Sequence, residues 1–299
     1  MEADTFAAHR PLLLGLAYRM LGSHAEAEDV VQEAFLRWHA APQATVTTPR
    51  AYLATVVTHL CLDQLKSARA RREEYVGPWL PEPVLTDLSA LTPVASPDSS
   101  ATLGERQTLS LAFLVLLERL SPLERAAYLL HEVFDYSHAE VGEILGKEEA
   151  TCRQLYHRAQ QHLAKGRPRF APSREEHERL LMTFLQAMGQ GDLASLRTLL
   201  ATEATAWSDG GGKVNAARKP VRGADAVARL FVGLSRKAQG LPLEYAMAEV
   251  NGWPALIVRQ GGRPFMVLSC ESDGTRIHNF YVVLNPDKLR LAALPPPAV

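Results

Sequence analysis

From residue 5 to about 72, apolar residues recur at helical spacing: Phe6, Leu13, Leu14, Ala17 and Leu21, then Val30, Val31, Ala34, Phe35 and Trp38, then Leu53, Val56, Val57, Leu60 and Leu65. Residues three or four apart share one helix face, so these sets predict at least three amphipathic helices. The period is lost in "EEYVGPWLPEPVLTDLSALTPVASPDSSA", residues 73 to 101, whose prolines and small polar residues predict an inter-domain linker with Tyr75 and Trp79 as unusual aromatic insertions. Helical spacing returns from about 103 to 165 and stops again at "KGRPRFAPSREE". Beyond 174 the pattern predicts helices at 175–189, 192–200 and 223–235 and an apolar segment at 203–208. Four strand-like runs follow, "LEYAMAEV", "PALIVRQ", "PFMVLSCES" and "RIHNFYVVL", separated by NGWP, GGR and SDG. That turn chemistry suits an antiparallel meander. The expected fold is multidomain, two all-α domains followed by an α+β domain.

Composition narrows the function classes. A chain of 299 residues, 47% hydrophobic and 22% charged, can bury more than one core. Its three cysteines, Cys61, Cys152 and Cys270, are far apart and odd in number, which argues against a disulfide framework or a zinc site, and no cofactor is expected. The start "MEADTFAAHRP" has no basic leader, and no stretch approaches the roughly 18 apolar residues of a membrane span, so the expected location is the cytoplasm. The net charge of -1 hides an uneven distribution: Lys147 to Phe170 holds six Lys or Arg against two Glu, and Arg50 to Arg72 holds five against one Asp. Local basic stretches of this kind are the electrostatic footprint of nucleic-acid binding.

The most specific pattern is "SPLERAAYLLHEVFDYSHAEVGEILGKEEATCRQLYHRAQQHLAKG". Ser121 with Glu124, and Ser137 with Glu140, form two S-x-x-E capping boxes, the first with Pro122 at the opening helical position. Gly146 ends the second helix, and a third begins near Glu149, with Val141, Leu145, Cys152 and Leu155 placed to share a small core. This is a helix-turn-helix whose third helix offers Thr151, Arg153, Gln154, His157 and Arg158 to a major groove. Upstream, "HAEAEDVVQEAFLRWHAA" puts Asp29, Gln32, Glu33 and Leu36 on one helix side, opposite a buried stripe expected to include Phe35. An acidic face of this kind could meet a basic partner. In "TPRAYLATVVTHLCLDQLKSARARR", basic residues beside Tyr52 and His59 suit melted DNA, whose bases unstack onto side chains.

Together "AEDVVQEAFLRWHAA", "PRAYLATVVTHLCLDQLKSARARR" and the boxes through "ATCRQLYHRAQQHL" resemble regions 2 and 4 of the extracytoplasmic-function class of bacterial sigma-70 factors, over residues 5 to 165. The resemblance implies a core RNA polymerase partner, met at the clamp helices of the largest subunit by Asp29, Gln32, Glu33 and Leu36, with the polymerase flap as a further contact. It implies promoter DNA as the second partner. His59, Asp63, Lys66, Arg69, Arg71 and Arg72 would recognise and melt the -10 element, and Thr151, Arg153, Gln154, His157 and Arg158 would read the -35 element. His59 stands where members commonly carry asparagine, and Cys152 where valine or isoleucine is usual. No acidic leader or region 3 domain can be fitted, which is expected of the minimal class. The implied boundaries are region 2 at 1–73, a linker at 74–102, region 4 at 103–167 and a last domain at 174–292.

The last domain resembles the SnoaL-like cone-shaped α+β fold, and "YVGPWLPEP", "SDGGGK" and "NPDKL" resemble marks of the sigma subgroup that carries such a domain as a regulator in cis. That likeness implies a regulatory contact set of Trp79, Asp209, Gly210, Gly211, Gly212, Lys213, Asn285, Pro286, Asp287 and Lys288, packing on the linker and on region 2. The glycine run is not a phosphate loop: the places for its first glycine and its magnesium hydroxyl hold Trp207 and Val214. Two other readings stay open at this level. One is a helix-turn-helix regulator with a small ligand in the cone. The other is an isomerase or cyclase using some of Asp209, Glu244, Tyr245, His278 and Tyr281, although no spacing selects among these. The expectation is a non-enzymatic promoter-specificity subunit.

Overall fold

The computed structural model describes residues 2–42, 46, 48–85, 108–164 and 172–290, with 2–3 and 68–73 described by backbone alone. The chain divides into two compact units. One takes residues up to 74 and the helices between 113 and 164; the other takes 75–85, 110–112 and the described residues from 172 onward.

The first unit opens with α1 (Glu2–Leu21), α2 (His24–Ala40) and α3 (Pro49–Glu73). Leu12 to Leu21 of α1 is buried on every side, which is why its apolar run is nearly continuous rather than striped. The one charge in that run, Arg19, is 1% exposed and donates to the Gly15 carbonyl at 3.1 Å and the Thr108 carbonyl at 3.2 Å. Phe35 departs from expectation: it is 37% exposed, edge-on to the Phe6 ring at 5.0 Å, because the buried stripe of α2 is narrow and holds only Ala27, Val30, Val31, Ala34 and Trp38.

After α4 (Leu111–Leu117) come α5 (Pro122–Tyr128), a π-helical turn (Leu129–Val133), α6 (His138–Leu145) and α7 (Glu149–Ala164). Both expected capping boxes are made in full, the serine hydroxyl accepting from the backbone and the glutamate reaching back to it. Arginines join the two halves of this unit through backbone carbonyls. Arg125 Nη1 donates to Met20 O at 2.6 Å, and Arg50 Nη2 donates to Phe134 O at 2.8 Å. Each guanidinium satisfies a carbonyl left without a helical partner at the end of α1 or of the π turn.

The second unit contains α8 (Arg174–Gln190), α9 (Leu193–Leu199), β1 (Leu200–Asp209), β2 (Val221–Arg222), α10 (Ala224–Ala238), β3 (Leu243–Val250), β4 (Trp253–Gln260), β5 (Arg263–Ser272) and β6 (Ile277–Val283). A short 3₁₀ turn, Pro286–Lys288, follows. β3 to β6 form the antiparallel meander that their turns demand, and β1 adds to it parallel to β6, in the order β2-β1-β6-β5-β4-β3. One sheet face, including Leu256, Val258, Leu268 and Phe280, closes on Leu181, Phe184 and Phe231 of the helices. The rings of Phe184, Phe231 and Phe280 lie 4.6–5.2 Å apart and fill the centre of the cone.

Candidate nucleic-acid interface and the strap of the C-terminal domain

The expected reading helix is α7. Its turn is set by Gly146, in the left-handed conformation at φ 61°, while the Lys147 N–H donates to the Gly142 carbonyl at 2.9 Å. A Cβ on Gly142 would lie 2.8 Å from the Lys147 oxygen, so only glycine lets the turn fold this tightly. Val141, Leu145, Cys152 and Leu155 are all buried, and Arg153, Gln154, His157 and Arg158 are exposed on the far side, with Thr151 half-buried. Arg153 pairs with Glu149, and Arg158 lies 3.9 Å from Glu124. A brace that the sequence did not mark holds α7 in place: Tyr156 donates to Glu132 Oε2 at 2.6 Å, and the His131 and His138 rings stack at 4.0 Å. Burial, then the Glu132 carboxylate, push the Tyr156 hydroxyl well above the usual phenol range, so it stays a donor.

Asp29, Gln32, Glu33 and Leu36 are exposed together on α2, with Arg37 donating to Glu33 Oε1 at 2.9 Å. Leu36, 56% exposed, and Phe35 make an apolar spot within an acidic face. On α3, His59, Asp63 and Lys66 are exposed, and Lys66 Nζ lies 2.7 Å from Asp63 Oδ1. Arg69, Arg71 and Arg72 belong to the last turns of α3, and their side chains lie outside the described residues.

The expected regulatory set gathers around one buried carboxylate. Asp209, at the end of β1, is 0% exposed. Its Oδ1 accepts from Tyr75 Oη at 2.6 Å and from the Gly211 N–H at 3.1 Å. Its Oδ2 accepts from the Leu80 N–H at 2.8 Å and from Lys288 Nζ at 2.8 Å. Lys288 also donates to the Leu80 carbonyl at 2.5 Å and sits 4.1 Å from the centre of the Trp79 ring. Asn285 donates to Tyr75 Oη at 2.8 Å and caps the Pro286–Lys288 turn through the Asp287 N–H. At the far end of the segment, Asn251 and Val84 exchange two hydrogen bonds and Leu85 bridges Val250. Residues 75–85 are therefore a strap built onto the C-terminal sheet, with Leu80 and Val84 buried.

The glycines serve this packing. A Cβ on Gly211 would fall 2.3 Å from Asn285 Nδ2, and one on Gly212 would fall 3.2 Å from Val76 Cβ, so the loop lies backbone-first against the strap and the Asn285 turn. Gly211 and Gly212 also take φ of 59° and 73°. Lys213 does not share Asp209; it pairs at 2.5 Å with Asp287, on the surface.

The candidate catalytic residues are not brought together. Tyr245 is on the edge strand β3 and Tyr281 on β6, three strand spacings or about 14 Å apart across the sheet alone. The register puts Tyr245 on the face of Val258 and Tyr281 on that of Ile257, so they point to opposite sides. Glu244 lies beside Tyr245 on β3, His278 pairs with Asp273 at 2.8 Å, and Asp209 is taken up by hydrogen bonds from the strap.

Two family models match the chain, Sigma-70 region 2 over residues 5–71 and Sigma-70, region 4, over residues 110–163. The chain is 42% identical to the ECF RNA polymerase sigma factor SigJ of Mycobacterium tuberculosis, over 84% of this chain and 79% of that one. It is 36% identical to the probable ECF RNA polymerase sigma factor SigI of the same organism, over 64% of each chain. The crystal structure of the former superposes with a TM-score of 0.74 and 34% identity, covering 96% of this chain and 98% of the other.

Proposed function

The chain belongs to the extracytoplasmic-function family of RNA polymerase sigma factors, and from that premise we propose that it directs core polymerase to promoters under the control of its own C-terminal domain. In this reading residues 1–73 bind polymerase and the -10 element, and 103–167 bind the -35 element. Residues 174–292 regulate. Asp29, Gln32, Glu33 and Leu36 meet the clamp helices, the polymerase flap engages the other module, and the work is done in the cytoplasm where polymerase resides. No catalytic step is assigned.

The observation that carries the regulatory reading is the strap. Regions 2 and 4 are joined in the chain by the segment that begins at Tyr75, and 11 of its residues, 75–85, are built onto the C-terminal sheet. An extended chain spans at most about 3.3–3.6 Å per residue, so anchoring the strap removes roughly 35–40 Å from the reach of the linker. Elements about 25 base pairs apart are separated by about 85 Å of B-DNA, which two modules can meet together only when far apart. Meanwhile Arg50 and Arg125 hold the two modules in one unit through backbone carbonyls. Docking on core polymerase supplies the differential affinity that opens this arrangement.

In reconstituted transcription, removal of residues 174–299 is expected to change promoter output while polymerase binding persists. Equal output from the full and shortened chains would reject the regulatory role. The two interfaces are also separable. Gln154→Ala is expected to weaken -35 recognition by about 1–3 kcal/mol, with polymerase affinity unchanged. Glu33→Lys is expected to do the converse, read by polymerase pull-down and promoter footprinting.

A further inference from the structure

Beside the glycine loop lies a cavity of about 490 Å³ that the promoter-binding function does not use. One wall is the loop itself, another is the returning chain from Val214 to Arg218, and the third is Val76 and Gly77 of the strap. Its volume is that of a small-molecule site. Its chemistry is one-sided: Lys213 and Arg218 contribute two cations, Ser208 a hydroxyl and Asn215 an amide, and no carboxylate among the described residues lines it. Lys213 has a counter-charge in Asp287, whereas Arg218 pairs with no acid among the described residues. The backbone from Asn215 to Arg218 makes no hydrogen bond to another described residue, so its N–H groups face solvent or an occupant. Unspent backbone donors beside a guanidinium and an ammonium are the chemistry that suits an anion. No aromatic ring among the described residues lines the cavity, so a nucleobase would find none of these to stack on; the apolar walls are Val76, Val214, Ala216 and Ala217.

We propose that this cavity binds a phosphomonoester of sugar-phosphate size, with the phosphoryl group on Arg218 and the 215–218 backbone. Arginine suits it because a planar fork matches two phosphoryl oxygens at once. The site stands on the cavity alone and holds whether or not the C-terminal domain regulates transcription. Because Val76 and Gly77 form one wall, an occupied cavity fastens the start of the strap.

Isothermal titration of the full chain tests this with ribose 5-phosphate, ribose, AMP, acetate and a short DNA duplex. Ribose 5-phosphate is expected to bind saturably and to slow amide exchange at Val76 and Gly77, while ribose and acetate do not bind and AMP binds no tighter. Arg218→Glu is expected to weaken binding at least tenfold; Arg276→Glu, an exposed charge on the β5–β6 turn, is expected to leave it unchanged. Circular dichroism of both variants should match that of the parent chain. The proposal fails if ribose 5-phosphate does not saturate, if Arg218→Glu binds it equally, or if acetate competes with it. Tenfold tighter AMP would reassign the site to nucleotides, and competition by the duplex would reassign it to the DNA backbone; either overturns the proposal.

Discussion

Lys288→Met is expected to destabilise the C-terminal unit by about 3–5 kcal/mol and to release the strap. The expectation rests on asymmetry. Among the described residues Lys288 is the only cation on Asp209, the two side chains are 12% and 0% exposed, and their contact is 2.8 Å. Removing one partner of such a pair leaves a buried charge with no compensation, which costs far more than the intact pair contributes. Lys288 also ties the Leu80 carbonyl and lies against the Trp79 and Tyr75 rings, so the strap loses three contacts with one side chain. Hydrogen exchange at the Leu80 amide, whose acceptor is Asp209, should accelerate by two orders of magnitude or more. The double variant Asp209→Asn, Lys288→Met should recover part of the loss, because an amide can still accept from Leu80 without a stranded charge. If the single variant leaves exchange at Leu80 unchanged, or the double variant is worse than additive, the pair is not what holds the strap. A released strap also lengthens the tether between regions 2 and 4, so promoter output should shift in the direction that deleting residues 174–299 shifts it.

The elements that were legible in the sequence are those whose causes are local. Both capping boxes lie within four residues of chain, and the turn at Gly146 is a single backbone conformation, so the helix-turn-helix could be read from residue order alone. The four meander strands are likewise delimited by their own turns. The parallel pairing of β1 with β6 was not legible, because it joins residues more than seventy positions apart with no turn between them. The strap was hidden for a different reason. Prolines and small polar residues mark a segment without regular structure, but not whether that segment is solvated. Here its polar groups are met by Asp209, Lys288 and Asn251, from 129 to 208 positions away. Tyr75 and Trp79 were the visible anomaly, and both turn out to face Lys288. Asp209 could be named as an edge of the glycine loop, but its partner could not: Lys213, the near cation, pairs with Asp287, while the distant Lys288 takes the buried acid. Arg19 and Arg125 show the same limit, since an arginine in an apolar run tells nothing of the carbonyl it will meet.

The stability of the C-terminal unit should also fall steeply as pH drops from about 6.5 to about 4, and His177→Gln should flatten that fall. His177 on α8 is 2% exposed, its ring 5.1 Å from that of Trp253 and its nitrogens facing Cys270 Sγ at 3.6 Å and Ser272 Oγ at 3.4 Å. Burial drives its pKa down to about 4, and a hydrogen bond with the Pro254 backbone only partly offsets this. No carboxylate is among these neighbours, and burial pushes the Cys270 thiol upward, so that thiol stays neutral throughout this range. The folded ring therefore stays neutral while the unfolded ring, with an ordinary pKa near 6.5, takes up a proton. Between those two values the unfolded chain binds more protons, so stability rises with pH across the window and is lost as pH falls through it. At about 1.4 kcal/mol per pH unit, the full loss is about 3 kcal/mol, complete near pH 4. Denaturant unfolding followed by exchange of the β4 and β5 amides reads the C-terminal unit separately from the helical one. Glutamine keeps a side-chain donor and acceptor for Ser272 and the Pro254 backbone but does not titrate, so its slope between pH 6.5 and 4 should be smaller by most of one proton. An unchanged slope in His177→Gln would mean that the folded ring is protonated in place and that the pocket of Cys270, Ser272 and Trp253 tolerates the charge.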